Sequence, residues 1–157
     1  MIYDVDIVAV PEQAVLSLRR RGPLNEIGAR MRRLRELAGQ AGLTPAGPMM
    51  ARFYDNEAAR SDLDYDVCLP VLPAQDGSVP DAVSEARTEW IPLHHALQAV
   101  HVGPHDAMQD AWRAVDEARA VLGYTASGPF TEVYVTGRES GADPAAFVTE
   151  VRLPYAR

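Results

Sequence analysis

The sequence predicts an α+β fold: two tandem β-β-α-β-β repeats, mostly antiparallel sheet, with two helices on one sheet face. Three observations lead there. First, the chain matches itself when shifted by 81 places, pairing Pro11 with Pro92, Leu16 with Leu97, Gly22-Pro23 with Gly103-Pro104 and Gly47-Pro48 with Gly128-Pro129. The match needs no gap from Pro11 to Phe53. After a slightly longer loop, Tyr65–Val71 (YDVCLPV) pairs with Thr149–Tyr155 (TEVRLPY). Second, each copy holds one segment of helical periodicity flanked by strand-like runs. Third, segments 72–84 and 136–145 are rich in Gly, Pro, Asp and Ser and read as loops. The 157 residues are expected to form one domain built of repeats 1–75 and 80–157.

In chain order, strands are predicted at Tyr3 to Val10 and Ala14 to Arg20, with their counterparts at about Glu85 to Ile91 and Ala96 to Val102. In the first helix Leu24, Ile27, Met31, Leu34 and Ala41 form one apolar stripe. Their partners His105, Met108, Trp112, Val115 and Leu122 form the second. Pro23 and Pro104 sit at the first helical turn, where a missing N–H costs nothing. Gly42 and Gly123 end the helices in the left-handed conformation that glycine tolerates. Two more strands close each copy, the later one including Gly128–Val135 (GPFTEVYV). Two helices cannot cover both faces of so much sheet. The other face is therefore expected to line a groove between the repeats, the kind of concave seam that small molecules occupy.

Composition narrows the function. A net charge of −7 argues against nucleic acid, which rewards clustered positive charge. The longest apolar runs are only a few residues, too short for a membrane-spanning helix. The N-terminus MIYDVDIVAV does not have the basic-then-apolar pattern of a signal peptide, and the one cysteine, Cys68, cannot form an internal disulfide. A cytoplasmic protein is expected. No G-x-S-x-G elbow, Walker sequence or Gly-rich dinucleotide turn occurs, so no cofactor is expected. His94, His95, His101 and His105 lack partners at metal-ligand spacing, and no metal is expected. His105 takes the place of Leu24 and reads as a partly buried, hydrogen-bonded histidine. Cys68 has no evident base beside it. The clusters Arg19-Arg20-Arg21 and Arg30, Arg32, Arg33 and Arg35 read as solvated surface, with phosphate contact the lesser alternative. Asp62, Asp64 and Asp66 alternate with Leu63, Tyr65 and Val67 and read as a solvated sheet face, a reading that Glu150 inherits from its pairing with Asp66.

Glu132 is the sharpest anomaly. Side chains alternate along a strand, so it shares a face with Phe130 and Tyr134. Its repeat partner is Ala51, so the shared fold does not demand an acid there. All fifteen positive side chains are arginine, and none is placed by the pattern on the Glu132 face. A buried carboxylate is costly unless paired, or its pKa rises. Two readings follow from the residues: a ligand-facing charge, or a solvent-exposed residue or one paired with a distant arginine. Trp90, Trp112, Tyr65 and Phe147 offer flat apolar walls, since ring faces attract organic cations. Each has plain core packing as its default, as do Trp112 and Met31 on their helix stripes.

Taken together, the pattern resembles the GyrI-like effector-binding domain. It is carried by "GP" opening each helix, by "GLTPAGP" and "GYTASGP" after the helices, and by "YDVCLPV" and "TEVRLPY" at the ends of the copies. The resemblance covers essentially the whole chain. Its members include the drug-sensing half of BmrR-type multidrug regulators, AraC-type regulators and free-standing domains. The free-standing kind is expected here, without a helix-turn-helix module and without direct nucleic-acid binding. The resemblance implies a pocket glutamate that meets a ligand's positive charge, matched here by Glu132. It also places Tyr134, Phe147, Tyr65 and Met31 at pocket-lining positions; Phe147 and Met31 stand where the BmrR pattern has tyrosines. Trp112, Trp90 and Val102 are added from the repeat geometry. The expected function is binding of aromatic or cationic small molecules, multidrug or toxin binding with protective sequestration included. The alternative implied by some free-standing relatives is hydrolysis of strained cyclopropane rings in DNA-alkylating antibiotics. Glu132 would then be the general base and Tyr134 or Tyr65 the proton donor. A protein partner such as gyrase or a regulator has no sequence feature behind it.

Overall fold

The computed structural model describes residues 2–55, 62–137 and 140–157. Its strands are β1 (Asp6–Val10), β2 (Gln13–Gly22), β3 (Met50–Phe53), β4 (Leu63–Val71), β5 (Ala82–Val83), β6 (Ala86–Ile91), β7 (His94–Val102), β8 (Thr125–Ala126), β9 (Phe130–Thr136) and β10 (Val148–Ala156). The helices are α1 (Ile27–Gln40) and α2 (Gln109–Leu122), each entered through a single 3-10 turn. The fold is α+β with mostly antiparallel sheet.

The chain divides into two compact units. One holds residues 1–10 and 94–157, the other Pro11–Leu93. In the first, β7 pairs with β1 on one side and β10 on the other, and β10 continues to β9, all antiparallel. In the second, β2 lies between β4 and β6, and β4 continues to β3, again antiparallel. Each unit thus takes in the opening strand of the other sequence repeat. β1 and β6 each run into a short turn, and the strand that follows each of them pairs within the other unit.

In each unit the helix covers one sheet face. On the 94–157 unit, Met108, Ala111 and Val115 of α2 pack with Leu97, Ala99, Val151, Leu153 and Tyr155 of the sheet. Tyr3 and Val5 add to that cluster, although the strand itself begins only at Asp6. In the Pro11–Leu93 unit, Leu16, Leu18, Val67 and Leu69 are wholly buried, and Ile27, Leu34, Leu37 and Ala38 of α1 supply the helix side. The apolar stripes hold in their middles and fail at their ends. Leu24 and Leu122 are substantially exposed and Ala41 is exposed; Leu24 lies in the 3-10 turn ahead of α1 and Ala41 just beyond the last residue of α1. Pro23 and Pro104 stand just before the 3-10 turns with extended ψ of 152° and 151°. Gly123 caps α2 at φ 72°, and Gly42 follows α1 at φ 70°, both in the left-handed region.

Contrary to what the alternation predicts, the face of Asp62, Asp64 and Asp66 is not solvated throughout. Asp64 is paired with Arg19 at 2.8 Å near solvent, but Asp66 is only 2% exposed. Arg52 on the neighbouring strand β3 grips Asp66 through Nε (2.9 Å) and Nη2 (2.6 Å), and the Tyr54 hydroxyl donates to it at 2.7 Å. Cys68, fully buried, donates its thiol to the same carboxylate at 3.3 Å. Burial, followed by the charge of Asp66, pushes the thiol's pKa up, so Cys68 is a structural thiol and not a nucleophile. The alternation was right; what encloses the acid is its neighbour strand.

Candidate functional site

Glu132 lies in the middle of β9, opposite Val151 of β10, and so points to the face that α2 covers. It is 7% exposed. Both carboxylate oxygens are engaged. Trp112, one turn into α2, donates its indole N–H to Oε2 at 2.8 Å, and Tyr134, two residues along β9, donates its hydroxyl to Oε1 at 2.7 Å. Desolvation pushes the Glu132 carboxyl up from an ordinary 4.5 to about 7, and the two hydrogen bonds pull it back only partly. Burial, and then the charge of Glu132, drives the Tyr134 phenol well above its ordinary range, so this hydroxyl stays protonated.

Aromatic rings frame the acid. Trp112 stacks on Phe130 with centroids 4.9 Å apart and planes 4° from parallel. The His105 ring lies 5.2 Å from that of Tyr134 and 5.0 Å from that of Phe147. Among the described residues no guanidinium contributes to the electrostatics of Glu132. The arrangement can therefore hold a proton near neutrality, or a negative charge matched by a cation brought from outside.

Phe147 is buried just before β10. Val102 ends β7 on the face opposite Leu97, Ala99 and His101, and is more than half exposed. Met31, Tyr65 and Trp90 belong to the Pro11–Leu93 unit. Met31 is half-buried on α1, Tyr65 is wholly buried in β4 on the face that α1 covers, and Trp90 is partly exposed on β6. Two residues of the cluster do more than the sequence pattern indicates: Trp112, expected as core or as a ring wall, is the carboxylate's donor, and the ring of His105, expected as a partly buried histidine, lies against Tyr134.

The remaining histidines and acids do not assemble further chemistry. His101 is buried; its Nε2–H donates to the Pro104 carbonyl (2.9 Å), leaving Nδ1 to accept from the Tyr3 hydroxyl (2.8 Å). Among the described residues no group of three His, Cys, Asp or Glu side chains is arranged to hold a metal ion. None of their helices is long and apolar enough to cross a membrane.

Trp112→Phe keeps a ring to stack on Phe130 and removes the donor to Oε2. The Glu132 carboxyl is then expected to rise about one further pKa unit, since a hydrogen bond to the charged form is lost. An NMR titration following the Glu132 side-chain carbonyl checks this; an unchanged midpoint would mean that the indole contributes nothing.

Compared with known proteins, residues 3–156 match the family model of the GyrI-like small molecule binding domain. The chain belongs to this family. As a GyrI-like domain it is built to bind a small molecule. Among solved structures, the C-terminal domain of EcmrR superposes with a TM-score of 0.84 at 21% identity, with 100% of this chain and 99% of that one covered. In the EcmrR–DNA complex the TM-score is 0.86 at 21% identity, and 99% of this chain spans 58% of EcmrR. A hydrolase from Listeria innocua matches with a TM-score of 0.67 at 14% identity, covering 97% of this chain and 91% of that one. SAV2435, solved bound to tetraphenylphosphonium, matches at 0.62 and 14% identity over 99% and 94%. At such identities the likeness is one of fold. No curated protein matches the chain.

Proposed function

We propose that this GyrI-like domain binds aromatic or cationic small molecules, with Glu132 as the charge partner and Trp112, Tyr134 and Phe147 beside it. The carrying observation is a carboxylate 7% exposed among aromatic rings whose hydrogen-bond donors, Trp112 and Tyr134, are both neutral. Magnitudes favour a cation. Keeping Glu132 ionised against a pKa of about 7 instead of 4.5 costs about 3 kcal/mol at high pH. A delocalised cation about 4 Å away returns on the order of 4 kcal/mol at an effective dielectric of 20, and ring contact adds roughly 0.5–2 kcal/mol. The tetraphenylphosphonium bound by SAV2435 is a ligand of this kind and supports the reading. A role for Tyr65, Met31, Trp90 or Val102 rests on the family resemblance and the repeat pattern alone.

Glu132→Gln is expected to weaken cationic dyes at least tenfold at pH 8, about 1.4 kcal/mol or more, and to leave neutral aromatic dyes without a strong hydrogen-bond acceptor within about twofold. Parallel fluorescence titrations measure it. Equal losses for both dye classes would remove Glu132 from charge recognition.

The second reading is hydrolysis, and one observation favours it. A carboxyl poised near 7 with a phenol 2.7 Å away is matched to moving protons at neutral pH. The Listeria innocua hydrolase of the same fold supports it. On this reading Glu132 activates water and Tyr134 protonates the leaving group. Ring-opened product from a cyclopropane-containing alkylator, absent with Glu132→Gln, is the expected result. Stoichiometric binding without turnover would count against it.

A further inference from the structure

Glu132 takes part in two hydrogen bonds of different character. An indole N–H can only donate, so Oε2, held at 2.8 Å by Trp112, must remain an acceptor whether or not the carboxyl carries a proton. A phenol hydroxyl can both donate and accept. A carboxyl's carbonyl oxygen accepts more strongly than its hydroxyl oxygen, so an arriving proton is best placed on Oε1, where Tyr134, 2.7 Å away, can turn to accept it. The direction of one hydrogen bond reverses while the other holds the carboxyl in place.

We propose that protonation of Glu132 switches the class of ligand this site reads, through the reversal of its hydrogen bond with Tyr134. In the ionised state the site offers a negative charge, and the Tyr134 O–H is occupied by the carboxylate. Permanent organic cations fit that state. In the protonated state the charge is gone and the Tyr134 O–H is released to donate. Neutral aromatic molecules with a strong acceptor, such as a phosphoryl or carbonyl oxygen, fit that one. The inference rests on the ligand-binding reading above and adds its regulation by pH.

The surroundings leave this proton to Glu132 itself. Within its unit, β10 presents Val151 opposite Glu132 and Thr149 opposite Tyr134. The α2 helix presents Trp112, and Phe130 stacks on that indole. The 3-10 turn before α2 brings the His105 ring against Tyr134. His105 is thus the second titratable neighbour of the pair, after Tyr134. Among the described residues no charged side chain contributes to the proton affinity of Glu132, and burial brings that affinity to about 7.

The test uses two probes that neither gain nor lose a proton between pH 5.5 and 8.5: tetraphenylphosphonium and triphenylphosphine oxide. Their affinities are measured by isothermal titration calorimetry on the full chain at both pH values. If only the ionised form binds the cation, its affinity is expected to be about 30-fold weaker at pH 5.5 than at pH 8.5. The neutral oxide is expected to change the opposite way, about fivefold, the worth of one hydrogen bond. The ratio of the two wild-type affinities thus moves by about two orders of magnitude and needs no variant. Tyr134→Phe is expected to keep the cation's pH dependence and to abolish that of the oxide. Glu132→Gln is expected to flatten both, whereas persistence of the dependence in that variant would transfer the proton to His105 and overturn the switch. Flat or parallel wild-type curves overturn it as well. Failure of both probes to bind at any pH would instead sink the ligand-binding reading on which the switch rests.

Discussion

Glu132→Gln is expected to raise the melting temperature of the ligand-free protein at pH 8 by about 6–12 °C, and to leave it nearly unchanged at pH 4.5. The reason is the raised proton affinity of the buried carboxyl. Its pKa is about 7 in the fold against an ordinary 4.5, so the folded state binds the proton more tightly than the unfolded chain does. The stability contributed by that proton is fully present below about pH 4.5. It is lost progressively as pH rises through 7, and the total loss is about 3 kcal/mol. Glutamine has no proton to lose. Its amide oxygen can accept from Trp112 and its NH2 can donate to the Tyr134 oxygen, so neither neighbour is left unsatisfied. For a chain of this length each kcal/mol moves the melting temperature by about 2–4 °C, which sets the range. Calorimetric scans of wild type and variant from pH 4.5 to 8.5 measure the difference curve. A difference that does not grow with pH would mean that Glu132 is not desolvated. A saturating cation should narrow the gap by stabilising the wild type more than the variant through mass action.

The second large effect lies on the Asp66 network. Arg52→Ala is expected to destabilise the protein by about 3–5 kcal/mol, because it strands a buried carboxylate. Among the described residues, Asp66, 2% exposed, would retain only the Tyr54 hydroxyl and the weak Cys68 thiol as donors. Glu89 also loses the guanidinium at 2.8 Å, but it is half in water and contributes little to the loss. Combining Arg52→Met with Asp66→Asn removes the charges together and keeps an acceptor for Tyr54. That double variant is expected to recover more than half of the loss. Urea denaturation of the three proteins decides the matter. A single-variant loss under about 1 kcal/mol would place the pair among solvated ion pairs, and a double variant no better than the single would mean that packing dominates.

Both sites carry the same lesson about legibility. Displaced by 81 residues, Met31, Ala51 and Phe53 correspond to Trp112, Glu132 and Tyr134. Three apolar positions in one copy become a donor, an acceptor and a donor in the other. Glu132 alone stood out as an anomaly, since an acid on an aromatic strand face is unusual in itself. Trp112 did not, because a tryptophan on a helix stripe satisfies the core pattern equally well. Only the joint change at all three positions signals a hydrogen-bonded set. Asp66 shows the opposite error. Its alternation with Tyr65 and Val67 suggested a wet face, and nothing local revealed that Arg52 and Tyr54 would cover it from a neighbouring strand.

Local chemistry therefore determined the element types, the left-handed glycines after the helices, the repeated motifs that mark the family, and the oddity of Glu132. These depend on residues within a turn or a strand of one another, and so can be read in one dimension. The tertiary structure decided which strand pairs with which, so that β1 joins β7 and β6 joins β2. It also decided that the partners of Glu132 are an indole 20 residues before it on α2 and a phenol two residues after it. Burial, and with it a proton affinity near neutrality, depends on what packs over a side chain. Periodicity names the face on which a residue lies, but only the folded chain sets whether that face is wet.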